Sequence, residues 1–160
     1  MNHVVIDTDI LSTFIKVDRV NLLERLFVKS KILLTPSVYG ELKTGQKVGM
    51  IKLTFGARFS RIKLELAEKR TVREIRNRKL STADLECIAV AKCRRCILVT
   101  NDSDVEKEAD YLDIEHLNLP GILRLFWRSD MMTKARVNEL IDDIEEKDRI
   151  IIKNKSVIFI

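Results

Sequence analysis

The chain has 160 residues, of which 46% are hydrophobic and 33% are charged, so it is long enough to bury the core of one globular domain. No apolar run approaches the roughly 20 residues that a transmembrane helix needs, and no signal-peptide pattern opens the sequence. We therefore expect a single cytoplasmic domain over residues 1–160 with no membrane contact. The net charge of +5 favours polyanionic partners.

The first part of the chain predicts strands that alternate with helices. "HVVIDT" (3–8) is a short apolar run that indicates a buried strand, after which Thr8 or Asp9 can cap a helix through "ILSTFIKV". "RVNLLERLFV" continues with helical spacing, and "KILLTP" predicts a second strand. Pro36 suits the first turn of a helix over "SVYGELKTGQKV". The stretch 50–64 alternates like a strand but also fits a helix.

The second part repeats this alternation. Residues 65–79 predict a basic helix, and "LSTADLECIAVAKCRR" predicts a clearer helix with Ser81 as its N-cap. "CILVTND" (96–102) predicts a third strand that again ends in Thr and Asp. A helix over "SDVEKEADYL", a short strand "DIEHL" and helices over "ILRLFWRSD" and "KARVNELIDDIEEKDR" follow. The apolar end "IIIKNKSVIFI" predicts either a hairpin that turns at residues 154–155 or an arm that packs on its own sheet or on a second subunit.

The three cysteines are expected to be free thiols with structural roles. Cys87, Cys93 and Cys96 are an odd number in a chain without a signal sequence. Cys93 and Cys96 form a C-x-x-C pair, but no second pair of Cys or His is placed to complete a tetrahedral zinc site. A redox-active pair is the alternative.

This order of elements predicts an α/β fold with a mainly parallel central sheet and helices on both faces. In such sheets ligands bind beyond the carboxyl ends of the strands, where the strand order reverses. Asp7 and Asp102 each follow an apolar strand, so both are expected at that edge of the sheet.

Four acidic residues stand out by their position near predicted strand ends: Asp7, Glu41, Asp84 and Asp102. Each has a structural alternative, because an acidic side chain near a helix N-terminus can serve as a cap, and Glu41 can be an ordinary surface residue. If the four carboxylates converge, they repel one another, and the cluster needs a cation. Oxygen ligands suit Mg²⁺ or Mn²⁺, and either ion can activate water and stabilise charge on phosphate oxygens.

A basic segment accompanies these carboxylates. Residues 58–79 contain nine Lys or Arg and three Glu, a net charge of +6. One interpretation is a solvated helix with ion pairs one turn apart. Because the bases outnumber the acids, we favour a surface that binds nucleic-acid phosphates through Lys69, Arg70, Arg73 and Arg76.

"VVIDTDIL", "PSVYGELK", "STADLECIAVAK" and "ILVTNDSD", in this order and spacing, resemble the signature segments of the PIN domain family. The resemblance covers about residues 3–120 and implies a three-layer α/β/α fold and the activity of a metal-dependent ribonuclease. The family includes VapC-type toxins, so the resemblance also implies an antitoxin protein as a partner. It places Asp7, Glu41, Asp84 and Asp102 on the acidic metal-site positions, and Asp104 on a further acidic position.

Several neighbours of these carboxylates are assigned supporting roles. A hydroxyl of Thr8 or Thr100 could orient a carboxylate or a water molecule, and Asn101 could contact a phosphate or only a turn. Asp9 could join the site but is expected to begin the first helix. Glu86 lies about 200° round a helix from Asp84 and is left outside the site.

The sequence therefore predicts a ribonuclease that cuts RNA with Mg²⁺ or Mn²⁺, either a toxin or an RNA-processing enzyme. Residues 121–160 extend beyond the resemblance, and their apolar end suggests a homodimer. A non-catalytic RNA-binding or scaffold protein on the same fold is the main alternative. A phospho-receiver or phosphatase is a weaker one, because the Asp–Lys arrangement of a receiver is not evident.

Overall fold

The computed structural model of the chain describes residues 2–49, 56 and 58–160. Within these residues five short strands form one sheet in the order β3-β2-β1-β4-β5, and every neighbouring pair is parallel. The sheet consists of β1 (Val4–Ile6), β2 (Ile32–Leu34), β3 (Phe59–Arg61), β4 (Ile97–Val99) and β5 (His116–Leu117). All three residues of the central strand β1 are buried, as expected for a parallel sheet covered on both faces.

Eight helices connect and cover the strands in the described part of the chain, which confirms the predicted three-layer α/β/α fold. None of them is both long and apolar enough to cross a bilayer. They are α1 (Thr8–Lys16), α2 (Val20–Leu26), α3 (Pro36–Lys47), α4 (Leu66–Glu74), α5 (Thr82–Arg94), α6 (Ser103–Tyr111), α7 (Leu119–Arg128) and α8 (Lys134–Lys147).

The cap of α1 differs from the prediction. Asp7, rather than Thr8 or Asp9, is the N-cap, because its backbone is still extended and its carboxylate accepts the N–H of Ile10 at 3.0 Å. Thr8 is already the first helical residue. The strand β1 therefore passes directly into α1, with a single residue between them.

Two other helix starts agree with the sequence. Pro36 occupies the first turn of α3, after Thr35 as N-cap. Ser81 caps α5, and Asp84 completes a reciprocal capping box, with the Ser81 N–H donating to its carboxylate at 2.9 Å.

The predicted helix over 65–79 is wrong in its extent, since α4 ends at Glu74. Ile75 adopts an extended backbone, and the following loop is held by Asn77. The side chain of Asn77 accepts the N–H of Lys79 at 3.1 Å and donates to Glu108 of α6 at 3.3 Å. These contacts favour a loop over further helical turns.

Part of the ambiguous stretch 50–64 can be assigned. Residues 50–55 and 57 lie outside the described residues, whereas Phe59–Arg61 form the edge strand β3, which pairs with β2.

The predicted hairpin at the C-terminal end is wrong. Asn154 adopts a left-handed conformation, with φ of 57°, and Lys155–Val157 form a short 3₁₀ helix that contacts α7. Ile158 is fully buried, and the ring of Phe159 meets that of Trp127 edge-on at 5.7 Å. The tail therefore packs on α7 of its own chain.

A buried ion pair joins α4 to α5. The side chain of Glu68 is fully buried, and its two oxygens accept hydrogen bonds from Arg94 at 2.5 and 3.2 Å. It also accepts the N–H of Glu65 at 2.8 Å. Burial tends to raise the pKa of Glu68, but the hydrogen bonds from Arg94 and Glu65 and the charge of Arg94 outweigh burial and lower it.

Arg94→Met should lower the free energy of unfolding by about 3 kcal/mol at neutral pH, because it leaves a buried carboxylate without its cation. The lowered pKa of Glu68 contributes stability above its ordinary value of 4.5, and this contribution is lost as the pH falls through the folded-state value. The difference between variant and wild type, measured by urea denaturation, should therefore shrink as the pH falls below 4.5. An effect no larger than that of Lys92→Met, at an exposed position of α5, would contradict this role.

Candidate active site

Asp7 lies at the carboxyl end of the central strand and is almost fully buried, with 4% of its surface exposed. Its backbone N–H donates to the carbonyl of Val99 on β4 at 3.0 Å. One carboxylate oxygen accepts the N–H of Ile10, and the other accepts the hydroxyl of Thr100, which follows β4. Asp7 is therefore fixed by two neighbouring strands and by the helix that it caps.

The environment of Asp7 disfavours its negative charge. Burial raises its pKa from 3.8 to about 7, although the hydrogen bonds from Thr100 and Ile10 act in the opposite direction. The charges of Asp9 and Asp84 add to the rise. A neutral Asn or Ser could cap α1 without this cost, so the geometry favours a site in which a cation or a proton compensates the charge.

Asp102 follows the end of β4 by three residues and caps α6, whereas Thr100 occupies the position that matches Asp7. Its side chain accepts the N–H groups of Asp104 at 2.8 Å and Val105 at 3.4 Å, while its own N–H donates to the hydroxyl of Thr100 at 3.2 Å. Thr100 thus connects Asp7 to Asp102. This arrangement supports the predicted orienting role of Thr100.

Glu41 and Asp84 approach the same edge from α3 and α5. The carboxylate of Glu41 is exposed and accepts the hydroxyl of Thr8, as expected if Thr8 orients it. Asp84 is half-buried, and one of its oxygens is engaged in the capping box of α5. Both the capping interpretation and the site interpretation therefore apply to Asp84.

The pKa of Asp9 shows that these carboxylates share one electrostatic environment. Burial raises that pKa first, followed by the charges of Asp102, Asp84 and Glu41. A contribution from Asp148 follows. Asp9 therefore lies among the predicted site residues, although the sequence analysis expected it chiefly to begin α1.

The remaining predicted polar residues lie around this edge with different partners. Asp104 is in the first turn of α6, 4.0 Å from the ammonium group of Lys79. Asn101 is exposed, and its side-chain oxygen accepts the N–H of Leu119 at 3.3 Å, which supports the start of α7. Asn101 thus makes the turn contact that was the alternative to a phosphate contact, and this contact uses its side-chain oxygen but not its amino group.

The donor set fits a hard divalent cation in its chemistry, because the acidic edge offers carboxylate, hydroxyl and amide oxygens. It does not contain a preformed cage. Within residues 2–49, 56 and 58–160, no three His, Cys, Asp or Glu side chains come together as a metal-binding group. An ion would therefore have to draw carboxylates of this edge closer, at the cost of their present hydrogen bonds.

Glu86 is a buried acid that the sequence analysis left outside the site. It is 4% exposed, and one oxygen accepts the N–H of Ser37 in the first turn of α3 at 3.3 Å. The other oxygen has no hydrogen-bond partner among the described residues. Glu86 is the charged residue in an otherwise small and apolar run, "ECIAVA", and this pattern could have identified it as a buried acid.

Asp148 is the second acid that the sequence analysis missed. It is the C-cap of α8, and it accepts the ammonium group of Lys16 at 2.6 Å and the hydroxyl of Thr13 at 2.5 Å. No local pattern relates residue 148 to α1. Only the packing of α8 against α1 brings them together.

The basic segment occupies α4 and the loop that follows it. Lys69, Arg70 and Arg73 are exposed on α4, and Arg76 is exposed in the loop after it. None of the four forms an ion pair within the part of the chain that the structure describes, so the predicted pairs one turn apart are not formed. The loop continues to Lys79, which lies beside Asp104. The four bases are unpaired among the described residues, as the phosphate-binding interpretation requires, but α4 packs through Glu68 and Thr71 on the C-terminal end of α5, whereas Asp84 lies at the N-terminal end of that helix.

The cysteines are free thiols, as expected. Cys87 and Cys96 are buried, and burial raises the pKa of both thiols, which makes them poor nucleophiles. Cys93 is exposed, and its sulfur lies 3.5 Å from the hydroxyl of Thr71.

Asp7→Asn should stabilise the metal-free protein, because it keeps a capping oxygen and removes a buried charge. The raised pKa means that folding takes up a proton between pH 3.8 and about 7, so the charge of Asp7 costs stability as the pH rises through this window. In EDTA the stabilisation should be larger at about pH 8 than at about pH 5 by roughly 2–3 kcal/mol. Urea denaturation measures it, with the exposed Asp142→Asn as the matched control. A loss of stability at pH 8 would contradict this view of Asp7.

The comparisons with known proteins agree with this geometry. A family model described as a PIN domain matches residues 3–157, almost the whole chain and further than the 3–120 of the signature segments. No curated protein matches the sequence. PIN domains are generally nucleases, and an acidic edge on a parallel sheet is consistent with hydrolytic chemistry. The chain belongs to the PIN domain family.

Proposed function

We propose that this PIN domain is a ribonuclease that hydrolyses RNA phosphodiester bonds with Mg²⁺ or Mn²⁺. The observation that carries the proposal is the buried carboxylate of Asp7, whose charge is disfavoured and which shares its edge of the sheet with other carboxylates. The exposed bases of α4 and of the loop after it supply a surface for a polyanion, and this loop reaches the same edge at Lys79.

The roles of the carboxylates follow from their positions. Asp7, Asp84, Asp102 and Asp104 would hold the ion, directly or through water. When bound, the ion lowers the pKa of a water ligand and neutralises charge on the phosphate oxygens. Glu41, exposed at the end of its hydrogen bond from Thr8, would complete the set or accept a proton from the attacking water. Thr100 holds Asp7 in place.

Substrate binding is assigned to Lys69, Arg70, Arg73 and Arg76. All four are exposed and without ion pairs among the described residues, so they are available to phosphates. Asn101 retains an amino group, without a partner among the described residues, that could donate to the bound RNA near Asp102. Electrostatic contacts of this kind bind RNA without reading its sequence.

Several broader expectations remain proposals. As a toxin, the chain would be held inactive by an antitoxin protein that covers the acidic edge; as an RNA-processing enzyme it would need none. A cytoplasmic location agrees with the three free thiols. A homodimer cannot be argued from a free apolar tail, because Ile158 is buried within its own chain. The support for a homodimer is instead the exposed apolar side chains of α7 and the tail, namely Leu125, Val157 and Ile160.

One observation favours a non-catalytic RNA-binding protein as the second candidate. Asp84 and Asp102 are already engaged as caps, and the described residues contain no preformed metal-binding group. The two candidates make different predictions for RNA, because only the enzyme would cut it.

Wild-type protein with Mn²⁺ should cut labelled single-stranded RNA, and EDTA should abolish cleavage. Asp7→Asn and Asp102→Asn should each lower kcat/KM by about 100-fold or more, because each removes a negative charge that would hold the metal ion. Asp142→Asn, an exposed carboxylate on α8, should cut like the wild type. RNA that is bound but not cut by the wild type would support the scaffold instead.

The triple variant Arg70→Ala, Arg73→Ala and Arg76→Ala should bind RNA more weakly whatever its sequence. It should also lower the slope of log K against log salt by about 2, at roughly 0.7 for each phosphate of a single strand that the protein ceases to neutralise. Fluorescence anisotropy at several salt concentrations measures both effects. A control that removes the same charge from exposed sites elsewhere changes Arg124, Arg136 and Lys153 to Ala. If both triple variants show the same decrease in affinity and slope, the segment has no special role.

A further inference from the structure

A cavity of about 300 Å³ opens beside the acidic edge, between α1 and the end of α8. Its walls include Asp9, Ser12 and Lys16 of α1, Asn101 after β4, and Asp148 and Ile150 after α8. Asp9 is two residues from Asp7, and Asn101 directly precedes Asp102. Three larger cavities among the described residues are not lined by any of these carboxylates; their walls include Asp18 and Arg136, Asn2 and Cys96, and Glu74 and Arg76.

The charged wall of this cavity is held rigidly. Lys16 and Asp148 lie 2.6 Å apart, and their side chains are only 25% and 12% exposed. The hydroxyl of Thr13 has a single proton to donate and lies within hydrogen-bond distance of two acceptors, the carboxylate of Asp148 at 2.5 Å and the carbonyl of Asp9 at 2.9 Å. The cavity wall therefore presents a hydrogen-bond donor, Lys16, next to an acceptor, Asp148. Both side chains are held in place, as specific recognition requires.

Further hydrogen-bonding groups of the wall remain unused. The oxygen of Asn101 is bound to the N–H of Leu119, which leaves its amino group without a partner among the described residues. The hydroxyl of Ser12 likewise has none there. Ile150 adds an apolar surface. The cavity thus combines neutral donors, a paired charge and an apolar contact.

We propose that this cavity binds the base of the ribonucleotide next to the scissile phosphate, and that Lys16, Asp148, Asn101 and Ser12 select that base. The proposal rests on the proposed ribonuclease function. The volume is at the lower limit of ligand pockets and suits one base. A phosphate fits less well, because Asp9 and Asp148 would repel it, whereas a neutral base edge offers both donors and acceptors to the mixed wall. The phosphates instead meet the basic segment.

The inference gives the C-terminal extension a role at the site. Asp148 and Ile150 lie beyond residue 120, and they form the side of the cavity that faces α1. The segment after α8 is itself anchored, because the carboxylate of Glu145 accepts the N–H of Ile152 at 3.2 Å and pairs with Lys155 at 2.5 Å. The residues that select the base would therefore come from both ends of the chain.

The test measures binding of three fluorescein-labelled RNA hexamers, rA6, rC6 and rU6, by anisotropy in EDTA, where no cleavage is expected. The wild type should bind the preferred hexamer about tenfold more tightly than the weakest. Asp148→Asn, which removes the charge, and Ser12→Met, which fills the cavity, should each bring the three Kd values within about threefold of one another. The triple arginine variant should weaken all three equally and keep their ratio.

Equal Kd values for the wild type would overturn the proposal, as would an unchanged ratio in both cavity variants. Thermal melting, monitored by circular dichroism, shows whether each variant is folded. If Asp148→Asn does not fold, Ser12→Met alone tests the cavity. Failure of the two proposals can be told apart. Suppose that the wild type prefers one base, that the cavity variants lose this preference, and that no RNA is cut in Mn²⁺. The ribonuclease proposal is then refuted, and the base-site proposal is retained. Cleavage by a wild type that binds all three hexamers equally refutes the base site alone.

Discussion

The burial of one carboxylate, that of Asp7, is the constraint on which the candidate site depends. A strand with three apolar, buried residues ends directly on an ionisable group whose hydrogen bonds from the described residues come from a hydroxyl and a backbone N–H. The cost of that burial is visible in its pKa of about 7. Each neighbouring element either supports this group, as Thr100 does, or adds another negative charge near it, as Asp9 does. A fold concerned only with stability would place a neutral cap here.

The topology explains why carboxylates distant in sequence meet at this point. The chain adds β2 and β3 on one side of β1 and then returns to add β4 and β5 on the other. Between β1 and β4 the order therefore reverses, and the loops after these two strands diverge and leave a crevice. Asp7 and Asp102 are the residues directly beyond those strands or one turn later. Two aspartates that follow neighbouring parallel strands at such a switch point share a site because of the topology alone.

The sequence was sufficient for the features that depend on local pattern. The buried strands, the N-cap Ser81, Pro36 in the first turn of α3, and the position of Asp7 and Asp102 at one edge of the sheet all follow from apolar runs, capping rules and parallel topology. What could not be predicted depends on contacts between distant segments or on side-chain direction. The end of α4 is set by Asn77 reaching Glu108. The burial of Glu86 likewise depends on a distant segment, because its side chain accepts an N–H at the N-terminus of α3. The tail could not be predicted because its apolar residues fit a strand as well as a packed turn.

The extension beyond residue 120 is part of the domain and not an addition to it. Phe126 of α7 is fully buried and meets the ring of Phe14 on α1 edge-on at 6.1 Å. Val137 and Ile144 of α8 are fully buried in the same core, so α7 and α8 complete the cover of α1. Because α8 must lie against α1 to bury these residues, its C-terminal end reaches Lys16, and Asp148 is brought to the edge where Asp9 lies. The hydrophobic packing of the extension thus fixes a polar group at the border of the candidate site, which no chain ending at residue 120 could do.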